Sequence, residues 1–258
     1  MIFNRTELVG EMVRREFRDR HVGQVLGVVW VFGHPLLLML IYTFLFVYVF
    51  PTRYGGGAGA PQDYSVNILA GIVCWLAFQD VLSRSSSTFI THANLVKQIV
   101  FPIEVLPIKT ALAGAIPYAA GLLFVLASAL WRGSLNWMVL TLPLVVFCQI
   151  VAMIGLAFLL ASVGVFLRDV REFIQVFCTV NLFAQPILFN PYATPPWLQY
   201  IFQANPFSYF VWCWQDALFF GSFHHPMAWV VMPLLSGAVL WLGWFAFSKT
   251  RRFYGDVL

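Results

Sequence analysis

The stretch Phe173–Phe189, FIQVFCTVNLFAQPILF, decides the architecture. Its 17 residues are just enough for a transmembrane helix, which takes about 17–25. Asn181, Gln185 and Pro186 turn it toward protein or a pore rather than lipid. Other apolar blocks lie at 28–50, 64–82, 105–130, 137–167 and 229–248. If 173–189 crosses as well, there are six spans and both termini are cytoplasmic. The inner side then holds Arg5, Arg14, Arg15, Arg18, Arg20, Arg84, Lys97, Lys109, Arg168, Arg171, Lys249, Arg251 and Arg252, and the outer side only Arg53 and Arg132. That is 13 cations against 2, the asymmetry of the positive-inside rule. Without the crossing, the three tail cations move outside and the split falls to 10 against 5. Six spans is the better reading.

The totals agree with a polytopic membrane protein. Of 258 residues, 60% are hydrophobic and 10% charged, where a soluble domain carries about 25% charge. Mean hydropathy is +0.80. The net charge of +4 reflects topology, so no nucleic-acid partner is expected. Cys74, Cys148, Cys178 and Cys213 are widely spaced in apolar runs without a CxxC, and read as packed, reduced thiols. The charged N-terminus lacks the pattern of a cleaved signal peptide.

The chain reads as one transmembrane domain, 1–258. Residues 1–27 form a cytoplasmic interface segment. Within it, Leu8, Val9, Met12, Val13 and Phe17 share one face of a helix, with the pairs Glu11–Arg15 and Glu16–Arg20 opposite. Arg14, Arg15 and Arg18 would meet headgroups, and the helix reads as a membrane-surface anchor or as one that also contacts a cytoplasmic partner. Residues 51–63 are a glycine-rich loop without the Lys-Ser/Thr of a phosphate-binding loop. Asp80 and Arg84 can pair where the second span leaves the lipid. Pro117 is expected to bend the third span. Segment 190–228 is extracytoplasmic and re-entrant, with short helices at Trp197–Gln203 and Pro206–Phe220; the second, at about 15 residues, is too short to cross. Fourteen aromatics fall within residues 189–229, twice the chain average of 17%.

Segment 94–107, NLVKQIVFPIEVLP, is too polar for lipid and too apolar for a free loop. Held at a membrane face, it calls for a protein partner.

Much chemistry is missing. The spans hold almost no deep ionisable groups of the kind that proton or sodium coupling uses. No Walker loop is present. His224-His225 has only Asp216 near it in sequence, a weak basis for an enzyme acting on lipid-linked sugars, and two loop histidines are more often inert. A pathway-like architecture without an energy source leaves either a passive or structural protein or one that another subunit drives, and the half-polar segment 94–107 favours the second, as the place where such a subunit would push.

An ordered set of short motifs then resembles the type-2 ABC transporter permeases over nearly the whole chain. Arg18-Asp-Arg20-His21, followed by Leu26-Gly27, Trp30 and Pro35, is similar to that family's entry motif, though the family more often has an aromatic residue at the position of His21. Asn94-Leu-Val-Lys97 with Phe101-Pro102 and Leu106-Pro107 resembles its coupling segment. Arg168-Asp169, Gln185-Pro186-Ile187 and Asn205-Pro206 resemble its later signatures. The branch it looks most like is the polysaccharide exporters for O-antigen, capsule and teichoic acid.

The resemblance implies a homodimer in a bacterial cytoplasmic (inner) membrane, with two separate nucleotide-binding ATPase subunits. It implies a channel for an undecaprenyl-diphosphate-linked glycan, and re-entrant residues 197–220 as paired gate helices. The chain itself is then not an enzyme and binds no cofactor; ATP and Mg sit on the partner. The expected coupling residues are Asn94, Lys97, Phe101, Pro102, Glu104 and Pro107. Channel or gate candidates are Tyr192, Trp197, Tyr200, Phe202, Phe207, Tyr209, Phe210, Trp212 and Trp214. Aromatic faces pack on sugar C–H faces, although an interfacial belt accounts for some of these rings. The alternatives are a small-molecule or lipid exporter of the same superfamily, and an integral-membrane enzyme on lipid-linked sugars.

Overall fold

The computed structural model describes residues 2–20, 29–49, 65–97, 102–131, 133, 135–167, 169–189 and 194–257, with side chains at all of these but 2–6, 18–20, 46, 47, 256 and 257. Among the described residues all regular structure is helical. Helix α1 (Ile2–Arg20) precedes α2 (Val29–Phe44), which runs on through a wider turn at Leu45–Val49. Next come α3 (Ser65–Ser85), two single turns (Thr88–Thr91 and Ala93–Val96) and α4 (Val105–Trp131). A 3₁₀ turn at Trp137–Thr141 leads into α5 (Leu142–Phe166), followed by α6 (Val170–Phe183). Two short helices, α7 (Pro196–Ala204) and α8 (Pro206–Gln215), precede α9 (Pro226–Thr250). Among the described residues, four helical stretches are long and apolar enough to cross a membrane: Ser65–Ser85, Val105–Trp131, Trp137–Phe166 and Pro226–Phe253. The chain is an integral, multi-pass membrane protein.

Helix α3 is the axis of the bundle. Every residue from Ser65 to Phe78 is buried, because a helix apolar on all sides must be surrounded. It packs against α2, α4, α5, α6 and α8. Its end is written in hydroxyls. Ser86 Oγ donates to the Ser83 carbonyl (2.9 Å) and Thr88 Oγ1 to that of Arg84 (3.1 Å), and such bonds compete with helix continuation. The expected Asp80–Arg84 pair forms at 2.8 Å. Helix α4 runs through Pro117 as one continuous helix.

The pair α5 and α9 is locked by small residues. A Cβ on Gly155 would lie 2.5 Å from the backbone nitrogen of Leu240, and one on Gly243 would meet the Gly155 carbonyl oxygen. In lipid, where apolar burial gives helices little reason to associate, such backbone approach supplies the packing.

Helix α6 is shorter than the expected 173–189 stretch. It holds 14 residues, about 21 Å at 1.5 Å each. Pro186 has no N–H to continue it. Side-chain amides take up the freed carbonyls instead: Gln185 donates to Asn181 (3.1 Å), Asn205 to Ala184 (2.9 Å) and Gln215 to Pro186 (2.8 Å). Asn205 also caps α8, its side-chain oxygen accepting from the Phe207 N–H (3.1 Å), with Pro206 in the first turn.

Candidate functional site

Two ends of the bundle carry candidate sites. At the first, the turns after α3 expose Asn94 and Lys97. Leu95 and Val96 pack inward on a cluster of Phe89, Leu106, Phe158, Phe247 and Tyr254. The polar and apolar halves read in the sequence therefore separate by side. Pro102 and Glu104 are half-buried and Pro107 is buried in the first turn of α4; Phe101 lies outside the described residues. The tail closes on the same cluster, where the Tyr254 hydroxyl donates to Ser162 Oγ (2.8 Å).

Lys109 ties this end together. Its ammonium donates to Glu16 Oε2 on α1 (2.7 Å) and to His92 Nε2 in the turn between the two single helical turns (2.8 Å). Burial pushes the His92 imidazole below its usual pKa, the Lys109 charge pushes the same way, and Glu16 opposes them. His92 is thus neutral and accepts at Nε2. Three elements far apart in sequence meet at one nitrogen. The sequence hint was a lone lysine four residues inside an apolar helix; its partners were not legible. Of the arginines expected at the interface helix, Arg14 and Arg15 are exposed, and the side chain of Arg18 lies outside the described set.

A pH effect follows from His92. A folded-state pKa below the unfolded value of about 6.5 means that the neutral ring's contribution is complete above that pH and is lost as pH falls through the folded pKa. Thermal stability in detergent is expected to drop below about pH 6.5, and His92→Gln is expected to flatten that limb. An unchanged profile in the variant would show that His92 does not carry it.

At the opposite end, the aromatic segment sorts into three groups. Phe207, Phe210 and Trp214 belong to the bundle: Phe207 meets Trp75 edge-on (5.3 Å between centroids), Phe210 meets Phe78 (5.1 Å), and Trp214 Nε1 donates to Gln149 (2.7 Å). Trp197 and Tyr200 face outward. Phe202 and Trp212 line a cleft of about 240 Å³. Tyr209 donates its hydroxyl to the Gln203 carbonyl (2.8 Å), and Tyr192 lies outside the described residues.

The cleft is built from one-sided faces. Gln199, Phe202 and Gln203 stand at i, i+3 and i+4 on α7; Trp212 and Gln215 stand at i and i+3 on α8. Phe220, His224 and His225 complete it from the following turn. That turn is anchored by Asp216, which is fully buried and accepts from the His225 N–H (3.0 Å), His225 Nδ1 (2.9 Å) and Trp229 Nε1 (3.0 Å). The turn also needs a left-handed residue, supplied by Gly221 at φ 63°. His225 lies flat on Trp212 (5.2 Å) and His224 flat on Phe220 (4.4 Å). The sequence reading passed over the three glutamines; amides four apart on a short aromatic helix were the available signal.

Residues 7–219 match the model of the ABC-2 type transporter family. Two O-antigen export system permease proteins RfbA of Klebsiella pneumoniae are each 22% identical to this chain, over 98% of it and 95% of their own length. An RfbA of Myxococcus xanthus is 26% identical over 70% of this chain and 68% of its own. With a family match over most of the chain, on helices that cross a membrane, this protein belongs to the ABC-2 type transporter family.

Proposed function

We propose that the chain is the channel-forming subunit of an ATP-driven exporter that moves an undecaprenyl-diphosphate-linked polysaccharide, such as an O-antigen, across the bacterial cytoplasmic membrane. The observation that carries the reading is the coupling face. Asn94 and Lys97 are presented outward, while the same turns are keyed to α4 and α1 through Lys109. A push there reaches rigid helices directly. The names of the relatives supply the substrate class.

In this reading α2, lengthened by Leu45–Val49, and α6, continued through 184–189, add two crossings to the four long helices. Six spans then leave both termini cytoplasmic. Convergence of α1 and the tail on one cluster supports this, since Met12 and Tyr254 pack into it together. A homodimer works with two ATPase subunits, and ATP and Mg are bound there. Apolar stripes on α2 (Leu37, Ile41, Phe44) and α6 (Phe173, Val176, Val180) face outward and suit a second copy or lipid.

Three experiments test the reading. Deleting the gene should remove the surface glycan and leave its lipid-linked precursor inside; a drug- or lipid-sensitive phenotype with intact glycan would favour the small-molecule or lipid exporter. A mild-detergent pull-down should bring a stoichiometric ATPase, and its reproducible absence would favour the enzyme alternative. Phe101→Ala and Glu104→Ala are expected to uncouple export while leaving the chain folded. Normal export by both variants would remove 94–107 from the drive.

A further inference from the structure

We propose that the outer cleft between α7, α8 and the Phe220–His225 turn is a binding site for a single sugar ring. The inference rests on the glycan-export reading and goes beyond it. A channel that slides a polymer needs only weak contacts, whereas this cleft has the make-up of a discrete subsite.

The lining carries no Asp, Glu, Lys or Arg among the described residues. A phosphate headgroup would ask for arginine or lysine, and a cation for carboxylates. What the cleft offers instead is amide and aromatic. Gln199, Gln203 and Gln215 each carry an acceptor oxygen and two N–H donors; Gln215 spends one N–H on the Pro186 carbonyl (2.8 Å) and Gln199 one on that of Thr194 (3.4 Å), which leaves their oxygens and second N–H groups for a ligand. A sugar hydroxyl likewise both donates and accepts, so side-chain amides are its natural partners. Phe202, Trp212 and Phe220 supply apolar surface for the C–H face of a pyranose.

Size and rigidity point the same way. The volume of about 240 Å³ lies below the ~300 Å³ at which drug-sized pockets begin, and so suits one ring rather than a chain segment. Asp216 holds His225 at both its backbone and ring nitrogens, which fixes one wall in advance. The ring nitrogens of His224 make no hydrogen bond among the described residues, and that side chain is exposed. It stands at the rim with donor and acceptor capacity unspent.

The test uses the full chain purified into lipid nanodiscs, with saturation-transfer NMR on free D-mannose, D-galactose, L-rhamnose and N-acetylglucosamine. Glycerol phosphate is the counter-probe. At least one sugar is expected to receive magnetisation. The double variant Gln199→Ala/Gln203→Ala, at two exposed positions, is expected to cut that transfer about tenfold, the loss of one to two net hydrogen bonds, without changing the melting temperature. A second readout needs no variant: the bound sugar should slow diethylpyrocarbonate modification of His224.

No transfer to any sugar overturns the inference. So does equal transfer in the double variant without protection of His224, or transfer to glycerol phosphate as strong as to any sugar. Failure of the export reading looks different: it is surface glycan that survives deletion of the gene. Lost glycan on deletion, with no sugar received by the purified chain, removes the cleft alone.

Discussion

Glu16→Ala is expected to destabilise the protein more than Lys109→Met, although each removes one half of the same pair. The reason lies in burial. The Lys109 side chain is 3% exposed and that of Glu16 is 24% exposed. Removing Glu16 takes the counter-charge from a buried ammonium and leaves it on the neutral His92 ring, and breaking a buried pair in this way costs about 3–5 kcal/mol. Removing the lysine charge leaves a carboxylate at the edge of solvent, which rehydrates; the cost is closer to that of one charged hydrogen bond, about 1.5–3 kcal/mol. Export should fall in both variants, because α1, the turn at His92 and α4 lose their common tie. The double variant should recover part of the loss. Melting temperatures and glycan export of the two singles and the double complete the cycle, and strictly additive losses would show that the two groups are not coupled.

Gly243→Ala is expected to be strongly destabilising for so small a change. Its new Cβ would meet the carbonyl oxygen of Gly155, and backbone cannot step aside as a flexible side chain can. Overpacking of this kind costs about 1–3 kcal/mol, with rigid contacts at the upper end. The internal control is Gly237, on the same helix, where an added Cβ meets nothing within 4 Å. There alanine should be neutral or stabilise by up to about 1 kcal/mol, the intrinsic helix preference. Yield and thermal melting of the two variants make the comparison. Equal behaviour at 243 and 237 would mean that α5 and α9 are not interlocked.

What the sequence made legible was whatever is local. Runs of apolar residues marked α3, α4, α5 and α9 to within a few positions. Asn205-Pro206 announced a helix start, because a cap and a first-turn proline act within one turn. The half-polar character of 94–97 carried over into an outward Asn94 and Lys97 and an inward Leu95 and Val96. The Lys109–Glu16 contact joins residues 93 apart, and no periodicity reports a pairing that the fold creates. Composition flagged the aromatic segment but could not sort it. Phe207, Phe210 and Trp214 serve the bundle while Phe202 and Trp212 face the cleft, and that division depends on where α3 lies. Within the run 173–189, α6 stops at Phe183, because the amides that receive its last carbonyls come partly from Asn205 and Gln215.

That early stop makes bilayer thickness a variable for this protein. Under the six-span reading, about 21 Å of helix faces an acyl region of about 30 Å. Either the leaflets pinch in beside α6, or non-helical backbone completes the passage; the latter is tolerated only where protein covers it, as the glutamine and asparagine amides do here. Longer acyl chains would then load this helix, and the strain would arrive at Asn181–Asn205, the joint that leads into α8. Under that reading the composition of the host membrane would act on α7 and α8 without any ligand.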